Sequence, residues 1–284
     1  MRIAILSGKG GTGKSTVAAN LAFSLSQTME VTAVDCDVEE PNLHIFFPDG
    51  DVAEEEVLTL VPIVDPDLCN LCGECSRFCR YGALVMGLNG PNLNPQMCHS
   101  CRGCRLVCPQ DAITEKGRGI GKVSISHPLS GLTLITGTLN EGEVMAPPVI
   151  KKAKEISNSG QLTILDSSPG IACPVIETLQ DADAAILVTE STPFGLHDLE
   201  LAAEVVKDMG IPSGVVINRS DGRDQLIGTF CKEKSLPVIM TIPFDRKIAQ
   251  VQNRGDLISR LDPSWSEKFQ ELYRKTSDLK EAVQ

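Results

Sequence analysis

The chain has 284 residues, 42% of them hydrophobic, enough for one large globular domain or two smaller ones. Its formal charge of -11 argues against a broad nucleic-acid surface, which needs clustered Lys and Arg. No basic leader and no run of 18 apolar residues is present, so a cytoplasmic protein with no stable membrane anchor is expected.

From Met1 to about Leu60 strand and helix signals alternate. Arg2 to Leu6 is a short apolar run, Ser15 to Ser26 has helical spacing, and Val31 to Asp35 is apolar again. From about Val61 to Gly117 periodicity gives way to Cys, Pro, Gly and Asn, and it resumes at Val123 to Ser126 and Leu132 to Thr136. Further buried-strand candidates follow at Leu162 to Asp166, Ala184 to Thr189, Gly214 to Asn218 and Val238 to Ile242, most of them separated by plausible helices. This alternation predicts an α/β fold with a mainly parallel central sheet flanked by helices. Residues 1–60 and 118–284 are read as one discontinuous domain, and 61–117 as a small inserted one.

The phosphate signal is Gly8-Lys-Gly-Gly-Thr-Gly-Lys14-Ser15, which fits G-x-x-x-x-G-K-[ST] and lies between an apolar strand and an amphipathic helix. Gly8, Gly10, Gly11 and Gly13 allow backbone N–H groups, with those of Lys9, Thr12 and Thr16, to turn toward phosphate oxygens. The helix beginning near Ser15 directs its positive end at the same anion. Lys14 is expected to reach the β- and γ-phosphates and Ser15 to bind Mg²⁺. A plain Gly-rich turn would not require Lys14 and Ser15 in this context.

The Lys9 to Ser15 run resembles the deviant Walker A motif of MinD/ParA-type P-loop ATPases, which are related to the nitrogenase iron protein and Mrp-like ATPases. The resemblance implies that Lys9 contacts nucleotide across a homodimer interface. It also implies a water-positioning switch I role for Asp37, a Walker B role on Mg²⁺ for Asp166, and an adenine contact for Asn218, so that Lys9, Lys14, Asp37 and Asp166 form the catalytic set for ATP. Capping or solvation roles for Asp37 and Asp166, and a turn role for Asn218, are the plain alternatives. ATP over GTP follows from the resemblance alone, since Asn218-Arg-Ser-Asp221 is one residue from a guanine-reading Asn-Lys-x-Asp.

Eight of the eleven cysteines fall between Cys69 and Cys108. They form two C-x2-C-x2-C-x3-C runs at an offset of 29 residues: Cys69, Cys72, Cys75, Cys79, then Cys98, Cys101, Cys104, Cys108. This is the spacing of bacterial ferredoxins with two 4Fe-4S clusters, in which the fourth cysteine of each run serves the other cluster. One cluster would take Cys69, Cys72, Cys75 and Cys108, the other Cys98, Cys101, Cys104 and Cys79. Zinc sites use separated C-x2-C pairs, so zinc is expected only as a substitute in aerobic preparations. Arg80 departs from the pattern, which has proline after the fourth cysteine, as at Pro109.

Cys173 lies seven residues past Asp166, the offset of a cluster-ligating cysteine in the nitrogenase iron protein. With no partner cysteine from Gly131 to Pro148, a buried residue at a helix start is the simpler expectation. Cys36 and Cys231 are expected to be buried. The last helix candidate carries Trp265, Phe269, Leu272, Thr276 and Leu279 on one face with balanced charges, and is expected to dock on the core rather than on a membrane.

These readings combine into an iron-sulfur ATPase whose nucleotide-driven dimer switch governs electron transfer or metal-centre assembly, acting on a redox or iron-sulfur acceptor protein. The alternatives are a cluster-assembly carrier ATPase, disfavoured by the lone late Cys231 where such carriers have C-x-x-C, and a MinD/ParA-like positioning switch with structural or redox-sensing clusters.

Overall fold

The computed structural model describes residues 1–48, 50–157 and 162–281. The chain opens with β1 (Arg2–Leu6), α1 (Lys14–Ser26) and β2 (Val31–Asp35), then enters a long strand, β3 (Val52–Val64). A cysteine-rich segment follows with α2 (Glu74–Phe78), β4 (Leu84–Gly87), β5 (Gly90–Leu93) and α3 (Gly103–Leu106). The return is β6 (Ile113–Leu129) and β7 (Leu132–Leu139), after which helix and strand alternate: α4 (Pro147–Ile156), β8 (Leu162–Asp166), α5 (Cys173–Leu179), β9 (Ala184–Glu190), α6 (Pro193–Asp208), β10 (Ser213–Ser220), α7 (Gln225–Glu233) and β11 (Val238–Pro243). Three helices close the described chain: α8 (Arg246–Gln252), α9 (Ile258–Leu261) and α10 (Pro263–Glu281).

The sheet has the order β11-β10-β9-β1-β8-β2-β7-β6-β3. Strands from β11 to β7 are parallel, and β6 and β3 join antiparallel at one edge. Successive side chains of a strand face opposite ways, so each central strand feeds two cores. Ile3, Ile5, Ile186 and Val188 pack on one side with α1, Trp265 and Phe269. Ala4, Leu6, Ala185 and Leu187 pack on the other with Val149, Val175, Leu199 and Ile227. This is the expected P-loop α/β architecture, with strands buried on both faces. In α10, Trp265, Phe269, Leu272 and Thr276 are buried, so its apolar stripe is spent inside the molecule.

The antiparallel edge reshapes the boundary of the cysteine-rich segment. β3 and β6 pair from Val52↔Ser126 to Val64↔Ile113, and Leu60↔Gly117 is one rung of that ladder. The segment therefore continues a ribbon of the main sheet. Three consecutive glutamates, Glu54 to Glu56, hide β3 from a periodicity reading, because an exposed edge strand has no need of strict alternation.

The 29-residue repeat is also a repeat of backbone. Leu84↔Leu93 in the β4–β5 pair corresponds to Ile113↔Val64 in the β6–β3 pair. Left-handed residues recur in matched positions: Leu71 (φ 60°) with Ser100 (φ 53°), Gly73 (φ 75°) with Arg102 (φ 61°), and Gly82 (φ 63°) with Asp111 (φ 48°). Four of these six carry side chains where glycine is favoured, a strain of order 1 kcal/mol each. The cysteine loops are thus held in one specific turn geometry in both halves.

Candidate nucleotide site and cysteine cavities

The loop from Gly8 to Gly13 crosses the carboxyl end of β1, where ligands sit in open α/β sheets. Gly10 and Gly11 are exposed at its tip, while Thr12 and Lys14 are buried, and Ser15 and Thr16 stand half-buried in the first turn of α1. Two glycines are dictated by close approach. A Cβ on Gly8 would lie 2.2 Å from the Asp198 carbonyl oxygen of α6, and Gly13 has φ +94° with a Cβ position 2.3 Å from Asn218 Nδ2.

Three carboxylates gather beside the loop. Asp35 and Asp166 end neighbouring strands in matched register, both wholly buried. Asp35 Oδ2 accepts from the backbone N–H of Asn42 and of Leu43, each at 2.8 Å, and Oδ1 from that of Asp37 at 3.1 Å. Burial, then the Asp166 charge, raises its pKa, and those three donors oppose the rise. Sequence reasoning passed over Asp35; its signal was an acid closing a mostly apolar strand.

Asp166 differs. Neither carboxylate oxygen finds a donor in conventional hydrogen-bond geometry among the described residues, and burial pushes its pKa up to about 7, with the Ser15 hydroxyl and Lys14 pulling against it. The buried hydroxyls of Thr12 and Ser167 are likewise unpartnered. Buried polar atoms left unpaired are costly, so this group fits a hard cation with oxygen ligands. Asp37 is partly buried, and burial raises its pKa against the opposing charge of Lys14.

Lys9 Nζ lies 3.9 Å from Asp198 Oδ2 and keeps 37% side-chain exposure. Asn218 Nδ2 donates to the Thr12 carbonyl at 2.7 Å, and its Oδ1 accepts from Arg219 N at 2.9 Å. In this structure Asn218 braces the loop. It also lines a cavity with Thr16, Arg219, Phe244, Asp245 and Gln252. Asp221 is absent from that lining and is engaged at the surface by Arg223.

Two cavities occupy the cysteine-rich segment. One, partly open to solvent, is walled by Cys69, Cys72, Cys75 and Cys108. The other is walled by Cys79, Cys98, Cys101 and Cys104. Tyr81 and His99 stack at 3.5 Å between centroids on the wall of the second. Between the cavities lies a minimal core of Cys75, Leu84 and Ile113, and burial pushes the Cys104 thiol up to about 11. Among the described residues no three Cys, His, Asp or Glu side chains converge on the position of a single metal ion. In a cubane cluster each thiolate binds a different iron, so its four sulfurs stand around a wider space, and the two cysteine walls fit that arrangement.

Cys36 and Cys231 are buried, whereas Cys173 is exposed at the start of α5. The expected burial of Cys173 is corrected: the Ser168 to Ala172 loop carries it out from the strand end. No helix among the described residues is long and apolar enough to cross a membrane.

Comparison with known proteins adds a family and a fold. The family model described as the CobQ/CobB/MinD/ParA nucleotide binding domain matches residues 3–258. An uncharacterized protein of Methanocaldococcus jannaschii is 32% identical over 259 residues, 90% of each chain. A protein named iron-sulfur cluster carrier protein from the same organism is 24% identical, covering 96% of this chain and 83% of its own length. Among solved structures, the septum site-determining protein MinD of Pyrococcus horikoshii OT3, complexed with Mg-ADP, superposes with a TM-score of 0.61 at 20% identity, covering 100% of this chain and 98% of the other.

Proposed function

Because this chain belongs to the CobQ/CobB/MinD/ParA nucleotide-binding family, we propose that it is a Mg-dependent ATPase whose nucleotide-driven dimer switch governs two 4Fe-4S clusters, in electron transfer or metal-centre assembly. The observation that carries the iron-sulfur part is the crossed partition of cysteines. Each cavity takes three from one run and the fourth from the other, as two-cluster ferredoxins do. When bound, such clusters supply one-electron chemistry at potentials set by charge, hydrogen bonding and exposure.

Phosphoryl transfer asks a protein chiefly for positioning and charge stabilisation. Here backbone N–H groups of Gly8 to Ser15 and the start of α1 hold the phosphates, and Lys14 neutralises the β- and γ-oxygens. Asp166 and Ser15 hold Mg²⁺, the unpaired oxygens of Asp166 being the ones available to it. Asp37 orients the attacking water. Lys9, held near Asp198 in the single chain, is the group that a second copy would draw across a nucleotide-bridged homodimer. The base is assigned to the cavity beside Asn218, as adenine by kinship with the MinD/ParA family.

The test is anaerobic purification followed by EPR and redox titration with and without Mg-ATP, with Lys14→Ala as control. Two 4Fe-4S signals whose potential or line shape shifts with Mg-ATP only in the wild type are expected. Clusters that ignore ATP would sink the coupling.

A second reading, a cluster-assembly carrier, draws support from the relative named iron-sulfur cluster carrier protein. Transfer of iron and sulfide to an apo-acceptor faster than electron transfer would select it. An acceptor protein is required in either reading.

A further inference from the structure

Residues 138–143 span from the Asp37 segment to the second cysteine set and are fastened at both ends. At the near end Leu139 N–H donates to the Val38 carbonyl at 2.8 Å, one residue beyond Asp37. The Val38 side chain is wholly buried. It lies so close to Gly137 that a Cβ there would stand 2.7 Å from Val38 Cγ1. Packed interiors do not absorb such displacements, so movement of Val38 must move the end of β7.

Beyond that point Asn140 N–H donates to the Ile120 carbonyl of β6 at 2.9 Å. At the far end Glu143 forms a two-pronged ion pair with Arg118 of β6, with Arg118 Nη2 to Glu143 Oε2 at 2.8 Å. The two side chains retain only 19% and 8% exposure. Gly142 faces Gln96, whose Nε2 would be 3.7 Å from a Cβ built there, and Gln96 stands two residues before Cys98. Arg118 is held firmly protonated, chiefly by Glu143, with Cys98 contributing in the same direction.

We propose that residues 138–143, latched by the Arg118–Glu143 pair, transmit nucleotide-dependent movement of Asp37 and Val38 to the cysteine set Cys98, Cys101, Cys104 and Cys79. The inference rests on the coupling proposed above and names its route. A bidentate guanidinium–carboxylate pair fixes both distance and orientation, which a lysine ammonium would not. Arg118 and Glu143 are therefore positioning residues, without contact to nucleotide.

The test compares the wild type with Glu143→Gln and Arg118→Lys, each with full iron content, by EPR with and without Mg-ATP. Hydrogen exchange over residues 138–143 of the wild type is measured alongside. The expected result is an Mg-ATP-dependent EPR change confined to the Cys98 cluster, assigned by its loss in Cys79→Ser, and reduced at least fivefold in both variants while ATP turnover stays within twofold. Exchange over 138–143 is expected to change with Mg-ATP. An EPR change of wild-type size in both variants overturns the latch alone. Clusters of the wild type that ignore Mg-ATP during turnover overturn the coupling itself, and the latch with it. Should a variant lose iron, the exchange measurement decides: no change over 138–143 refutes the route.

Discussion

Asp35 and Asp166 stand in register on adjacent strands, equally buried, yet Asp35 receives three backbone N–H bonds and Asp166 receives none among the described residues. That inequality divides their work. Asp35 shapes the loop that carries Asp37, and the oxygens of Asp166 are the ones proposed to meet a cation.

A pH dependence follows. The folded-state pKa of Asp166 is raised from 3.8 to about 7, so the folded protein binds more protons than the unfolded chain between those values. Its destabilising contribution is absent below about pH 4, grows as pH rises, and is complete above about pH 7. In EDTA, Asp166→Asn is expected to raise stability at pH 8 by on the order of 2–4 kcal/mol. The gain should vanish near pH 4, as checked by urea unfolding at both pH values. Equal gains at both would contradict an ionised, unpaired Asp166.

Lys14→Ala should lower ATP affinity and turnover by at least ~10²-fold, because it removes the cation at the transferring phosphoryl group. Asp37→Ala should retain ATP binding and lose turnover to a similar degree. Nucleotide-binding isotherms beside steady-state kinetics separate the two.

Asn218→Ala removes the hydrogen bond to the Thr12 carbonyl, a loss of about 1 kcal/mol. Affinity for tripolyphosphate, which has no base, is expected to fall along with that for ATP. A contact to adenine alone would leave tripolyphosphate binding unchanged, and competition titrations distinguish the cases.

Cys79→Ser should deplete the cluster whose other ligands are Cys98, Cys101 and Cys104, leaving about four of about eight irons. Cys108→Ser should deplete the opposite one. Iron analysis with EPR would show instead the loss of each run's own cluster if the cysteines did not cross.

The P-loop, the cysteine repeat and the two-faced strands were all legible in sequence, because each rests on local chemistry: glycines before a lysine, thiols at fixed spacing, uninterrupted apolar runs. β3 was not, since its three glutamates lie on a sheet edge, where burial does not enforce alternation. Cys173 was misjudged because exposure at a strand–helix loop depends on how that loop leaves the sheet.

The sequence by itself therefore determined the fold class, the candidate phosphate site and the likeness of the two cysteine runs, all carried by residues within a few positions of one another. Only the tertiary structure decided that Asn218 braces Thr12, that Asp35 rather than Asp166 holds the loop, and that Glu143 meets Arg118. The first and last of those relationships join residues 206 and 25 positions apart, and their partners are chosen by strand order and packing, on which local residue patterns carry no information.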